Sequence, residues 1–457
     1  MLSNRTAVQS NQPEGLVKSM GALSRRNVLS GGAVAAATAL GVTACADASG
    51  PARGSAGDSK PGGATVSAHP GSTGASASPS TAGAVPIGDG STSDTGPQPH
   101  QPVPERLKPG QKPPQFVVFS WDGAGEDSKK LFSHFRAVAQ ETKATMSFFL
   151  SGIYTLPESK KDLYLPPGHR PGASDIGYLA DDHIRMTLQQ VGAAWLEGHE
   201  IGTHFNGHFC GAGDGVGTWN SAQWRSELEQ AIGFVTKWRT NTGFKDLPAL
   251  PFDYRKELIG GRTPCLLGRD ALLPTAKSMG WKYDASSPGG NQVWPGHYKG
   301  LWEFPLQSIP FPGHSFQVLS MDYNMLANQS NASVNGDPAK RPGWQQQSYG
   351  AYMAGFNRAY TTNRAPYFIG NHFESWNGGI YMRSVEEALR AIATKPDVRL
   401  VSFRQLVQWL EVQDPAVLAK LRTLDVGQTP TSWADYTTPT PARSTASASA
   451  KATPTHA

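Results

Sequence analysis

The first 115 residues contain no Phe, Trp or Tyr, whereas all 18 Phe, 12 Trp and 13 Tyr of the 457-residue chain lie beyond them. An aromatic-free stretch of that length cannot bury enough apolar surface to offset the entropy of ordering its backbone. The composition agrees. With 50 Gly and 35 Pro, and only 38% hydrophobic and 17% charged residues, the chain reads as one ordinary domain diluted by low-complexity flanks. The domain is expected over residues 113–425. A tether rich in Ala, Gly, Ser, Thr and Pro precedes it over 46–112, and a Thr/Pro/Ser/Ala tail follows over 426–457. Both flanks are expected to be disordered. The net charge of +5, without a basic run in the domain, argues against nucleic acid as a partner. No apolar run reaches the ~18 residues of a spanning helix.

Residues 1–45 carry an export signal of their own. The run SRRNVL at 24–29 has the twin-arginine pattern, and small apolar residues follow from Gly31 to Ala44. Val42-Thr43-Ala44-Cys45 resembles a bacterial lipobox, with Cys45 as the lipidated residue. Met20, which opens MGALSRRNVLS, is an alternative start. The expected location is extracytoplasmic, at the outer face of the cell membrane through a lipid anchor.

Within the domain, β-type runs alternate with amphipathic stretches. Strands are expected at 116–121, 144–150, 200–204, 281–285, 366–371 and 398–402. Helices are expected at 126–140, 186–196, 222–240, 270–279, 348–362, 383–394 and 404–411. Such βα repetition predicts a parallel sheet covered by helices. Polar clusters directly after the strands favour an α/β barrel, which gathers them on one face.

Five clusters carry candidate chemistry. SWDG (120–123) places Asp122 at a strand end, as a base, a metal ligand or a helix cap. In GHEIGTHFNGHF (198–209), His204 and His208 can converge on one divalent cation. GGRTPC (260–265) offers Arg262, which can orient a carboxylate. YDASS (283–287) contains Asp284, and NHFESW (371–376) contains His372 and Trp376.

Taken in this order, the motifs resemble the polysaccharide deacetylases, the NodB-homology group of carbohydrate esterase family 4, and within it the chitin deacetylase-like proteins. The resemblance spans residues 116–412. It implies a distorted (β/α)7 barrel, a divalent metal, usually Zn²⁺, and removal of N-acetyl groups from an amino-sugar glycan. His204 and His208 match the metal histidines. Arg262 and Pro264 match R-x-P, although the next residue is Cys265 where the family usually has an aromatic. Asp284 and Ser286 match D-x-S, and His372 matches the general acid. The family's first motif, T-F-D-D-G, has two Asp where this chain has one. In one register Asp122 is the base and Gly123 stands in place of the metal Asp. In the other Asp122 is the ligand and Trp121 stands in place of the base. In the first register Asp122, water, Glu126 or Asp127 would complete the metal shell.

Asp284 and Trp376 are the expected substrate-binding residues, with Trp294 and Trp302 as further sugar-stacking candidates. Lipidation of Cys45 would leave an even pair of cysteines in an exported protein. Because the barrel brings their loops to one face, a Cys210–Cys265 disulfide is expected. No obligate protein partner is evident. The competing reading is an inactive glycan-binding module of the same fold. A glycoside hydrolase would need a flanking carboxylate pair that the sequence lacks.

Overall fold

The computed structural model describes residues 83–439. The export signal, Cys45 and the remaining tether and tail lie outside the described residues. The centre is a parallel sheet made of β1 (Gln115–Asp122), β2 (Ser147–Leu150), β3 (Glu200–Thr203), β6 (Tyr367–His372) and β7 (Val398–Leu400), with β4 (Tyr283–Asp284) and β5 (Leu301–Glu303) paired separately. The strand order is β6-β1-β2-β3, and β7 lies along the first half of β1. Helices α1 (Leu131–Thr142), α2 (Asp181–Leu196), α3 (Ser221–Thr236), α4 (Arg269–Ser278), α5 (Asp322–Ser330), α6 (Arg341–Tyr360), α7 (Trp376–Ala393) and α8 (Phe403–Val412) belong to the same body. Among the described residues no helix is long and apolar enough to cross a membrane.

The ring continues past β3 through single contacts. Thr203 bridges Gly261, and residues 259–261 receive bonds from 282–285. Parallel bridges from Gly290 to Gln307 and from Met321 to Gly370 return the chain to β6. The chain thus makes a closed α/β barrel whose second half is irregular.

Strand β1 is buried at all eight positions, so its period of two distributes side chains between two cores. Val117, Phe119 and Trp121 join the outer core, where the ring of Phe135 of α1 packs at a tilt against Trp121. Phe116 and Val118 join the inner core with Phe149, Tyr283, Phe304, Phe368 and Phe403. Each such buried side chain contributes roughly 1.5–3 kcal/mol. At the strand's end the inner side turns polar, with Ser120 and Asp122, so the barrel is plugged below and open to chemistry above.

Both expected domain boundaries move outward. Residues 85–87 and 92–94 pair as an antiparallel hairpin. Ser91 O accepts from Trp238 Nε1, and Ser93 Oγ donates to Leu250 O. Gln98 donates to the carbonyls of Trp195 and His199, and Gln101 donates to that of Gly198. Residues 426–439 hold the short helix Ala434–Thr437, with Trp433 packed on the inner core. These flanks borrow the domain's aromatics and carbonyls, a contribution that composition alone does not register. The expected helix over 222–240 breaks at Lys237, which leaves the αR region at φ −131°.

Candidate active site

The register of β6 on β1 sets Asp122 directly beside His372, at the carboxyl ends of neighbouring parallel strands. Asp122 is buried and accepts from Arg262 Nη1 at 2.8 Å. Burial pushes its carboxyl pKa up, but the Arg262 charge outweighs this, aided by His204 and His372, and holds it below the ordinary carboxylate range. Arg262 is itself fully buried. Its Nε donates to Ala285 O, and its guanidinium lies 5.1 Å from the Phe149 ring centre. Trp121 faces the outer core, its ring stacked on Phe373. Asp122, by contrast, turns inward to Arg262. Gly123 follows with φ +65°, in a cradle where an added Cβ would meet Tyr154 and Ser151 at ordinary contact distances of 3.7–3.8 Å.

His204 sits just after β3. One ring nitrogen, Nδ1, lies 2.8 Å from the Arg262 carbonyl, which can only accept, so Nδ1 carries the proton and donates. The other, Nε2, is buried without a protein partner. This is the tautomer and orientation that a metal-binding imidazole needs. Burial lowers the pKa of His204 and leaves it a neutral donor. His208 has its ring centre 5.0 Å from that of His204 and is driven down to about 3, chiefly by desolvation and then by His204. Two neutral imidazoles are donors of the kind that suits a zinc-type ion, although the ligand atoms of His204, His208 and Asp122 do not all lie within 4.8 Å of one another.

His372 is poised the other way. Its Nδ1 pairs with Asp322 Oδ1 at 2.8 Å, and its backbone N–H donates to Asp322 Oδ2 at 2.7 Å. Burial opposes the charge, but the Asp322 carboxylate, seconded by Asp122, raises the pKa to about 9. Half-buried Trp376 lies 5.3 Å from the His372 ring and 6.0 Å from exposed Tyr323, so one aromatic flanks His372 and the second flanks Trp376.

Other expected site residues are placed elsewhere. Asp284 is buried, accepts from Arg269 Nε at 3.0 Å and from the Ser286 N–H, and Ser286 Oγ in turn accepts from the Thr263 N–H. It braces the Arg262 loop, with its side chain almost fully buried. Glu126 accepts from the N–H groups of Phe132 and Ser133, capping the first turn of α1, so it supplies no metal ligand. Asp127 accepts from the Lys129 N–H on the surface. Trp294 and Trp302 are buried in the inner core and form no sugar wall. Cys210 and Cys265 are joined in a disulfide with a Cα–Cα distance of 6.0 Å.

Two residues of the site gave no signal as motifs. Asp322 opens α5 in an ordinary-looking MDYNML, and its only sequence cue is an acidic residue after a short β-type run. Glu227 lies inside α3. It accepts from the Tyr164 hydroxyl and the Asn206 N–H, while Tyr164 OH also accepts from the Gly207 N–H. That pair fixes the turn between His204 and His208.

No protein-family profile matches this sequence, and no curated protein is similar to it. Among solved structures, the chain is similar at 14% identity and TM-score 0.38 to a Mycobacterium smegmatis protein described as a polysaccharide deacetylase, covering 68% of this chain and 94% of the other. A Streptococcus mutans CE4 esterase aligns at 14% identity and TM-score 0.35, over 63% and 86% of the two chains. A Bacillus subtilis peptidoglycan deacetylase aligns at 10% identity and TM-score 0.32, over 67% and 94%.

Proposed function

We propose that this protein is a metal-dependent hydrolase that removes N-acetyl groups from an amino-sugar glycan outside the cell membrane, tethered there through Cys45. The observation that carries the reading is the opposite poise of two adjacent groups. Asp122 is held deprotonated and His372 is held protonated, side by side at one barrel mouth. Paired groups whose surroundings push their pKa values apart are suited to act as base and acid.

His204 through Nε2 and His208 would hold the metal, with water completing the shell. When bound, it supplies Lewis-acid polarisation of the acetyl carbonyl and makes water more acidic. Asp122, oriented by Arg262, accepts the proton of the attacking water. His372, kept charged by Asp322, donates to the departing sugar amine. Trp376 and Tyr323 present apolar faces to the sugar ring.

The test is acetate release from acetylated chitooligosaccharide and from peptidoglycan, with Zn²⁺, Co²⁺ or chelator. His204→Ala and His372→Ala should each lower the rate by about 10²–10⁴-fold. Gly123, where a second carboxylate would complete the ligand set, favours one alternative: a glycan-binding module without turnover. Retained glycan binding with no acetate under any metal would establish that alternative.

A further inference from the structure

The disulfide ties the segment that follows His208 to the segment that follows Arg262. His208 Nδ1 lies 3.5 Å from Cys210 Sγ. The donor atoms of His208, Cys210 and Cys265 all lie within 4.8 Å of one another, the one such trio of ligand-type side chains among the described residues. From this arrangement we infer that the three residues form a second metal site, closed while the disulfide is intact and opened when a dithiol reduces it.

The dimensions suit the role. On a tetrahedral zinc ion, Zn–S of about 2.3 Å and Zn–N of about 2.1 Å set an N···S edge of about 3.6 Å. The His208–Cys210 edge already has that length. The two sulfurs need only part from about 2.05 Å when bonded to about 3.8 Å as co-ligands, a change that side-chain rotation supplies. Cys265 is exposed and Cys210 half-buried, so a reductant and then an ion can reach them. The backbone around them is left-handed, with φ 58° at His208, 56° at Cys265 and 58° at Leu266. Such conformations in non-glycine residues cost roughly 1–3 kcal/mol each and persist where the surroundings impose them. The crosslink is one such constraint, and its cleavage frees both loops to settle around an ion.

The chemistry balances. A thiolate of the dithiol attacks one cysteine sulfur, and the resulting mixed disulfide is released as the reductant closes its own S–S bond. Two electrons and two protons pass to the protein, leaving two thiols. Binding of one Zn²⁺ expels both thiol protons and engages two thiolates and the neutral His208 imidazole, leaving the fourth position to water. His208 is shared with the candidate active site, so reduction turns one of that site's metal ligands toward the thiolates. The inference is independent of the deacetylase reading, because thiolate ligation is read from sulfur and not from acetate.

The test uses the full chain with Co²⁺ as probe. One sample is left oxidised. The other is reduced with dithiothreitol and desalted without air. The reduced protein should develop a sulfur-to-cobalt charge-transfer band in the near ultraviolet, and the oxidised protein should show none. Reduced Cys265→Ser should lose the band. His208→Gln, which leaves the disulfide in place for folding, should after reduction bind Co²⁺ at the thiolates more than about tenfold more weakly. No band in the reduced wild type overturns the inference, as does a band of unchanged affinity in His208→Gln.

Discussion

The half of the barrel formed by β6, β1, β2 and β3 is a continuous parallel ladder, and it delivers Asp122, His204 and His372. The half between residues 259 and 322 is held by short pairings and single bridges, and it delivers Arg262 and Asp322. In the first half, register alone brings Asp122 to His372. In the second, position depends on side-chain bonds: Arg262 is fixed through Ala285, the Asp284–Ser286 brace and Asp122, and Asp322 through His372. The regular half therefore supplies the groups that would react. The irregular half supplies the charges that set their protonation, and disturbing it should shift pKa values and stability together.

Arg262→Leu would break the junction between the halves most severely. It strands the buried Asp122 carboxylate, at about 3–5 kcal/mol of stability. Urea unfolding should show this loss, and Asp122→Leu in the same chain should recover most of it. A double variant no more stable than the single would mean that the two halves are not coupled through this pair.

Asp322→Asn probes the second junction. The His372 pKa is raised in the folded protein to about 9. Its pairing therefore stabilises fully below the unfolded value of about 6.5, and the benefit is lost as pH rises through about 9. The wild type should exceed the variant by about 3 kcal/mol below pH 6.5, a margin that shrinks toward pH 9 and beyond. The basic limb of the pH–rate profile should move down by a unit or more, and an unmoved limb would remove His372 from the acid role.

Gly123→Asp sharpens the comparison within the regular half, by adding the carboxylate that the strand end lacks. Its positive φ and contact-distance cradle predict a loss of roughly 1 kcal/mol or slightly more. Metal affinity by isothermal titration should rise about tenfold, in keeping with three protein ligands over two. The smallest effect is expected at Trp376→Ala, where losing one stacking face should raise KM a few-fold, for about 1 kcal/mol, with kcat little changed.

The regular half was the legible one. The runs FVVFSW, ATMSFFL, EIGTH and PYFIGN are compact and apolar, and each ends on a polar residue, so both the strands and their reactive ends stand out. Helix ends were less so: α6 begins at Arg341 and α7 at Trp376, each seven residues before expectation. Asp284 carried a motif yet proved to be a brace, and Trp294 and Trp302 proved to be core. Sequence marks which residues are unusual, but not the direction in which a short strand turns them.

By itself the sequence pointed to one α/β domain behind a long low-complexity leader, and the family resemblance of its motifs grouped Asp122, His204, His208, Arg262 and His372 as one expected site. The first rests on local pattern, aromatic content and strand alternation, and the second on the resemblance that the motifs carry in their order. Tertiary structure alone decided that Asp322 charges His372, that Glu227 holds the histidine turn, and that residues 83–112 belong to the folded body. These depend on contacts between segments from 21 to more than 150 residues apart. A side chain's partner at such distances is chosen by how the barrel closes, which no local period or spacing encodes.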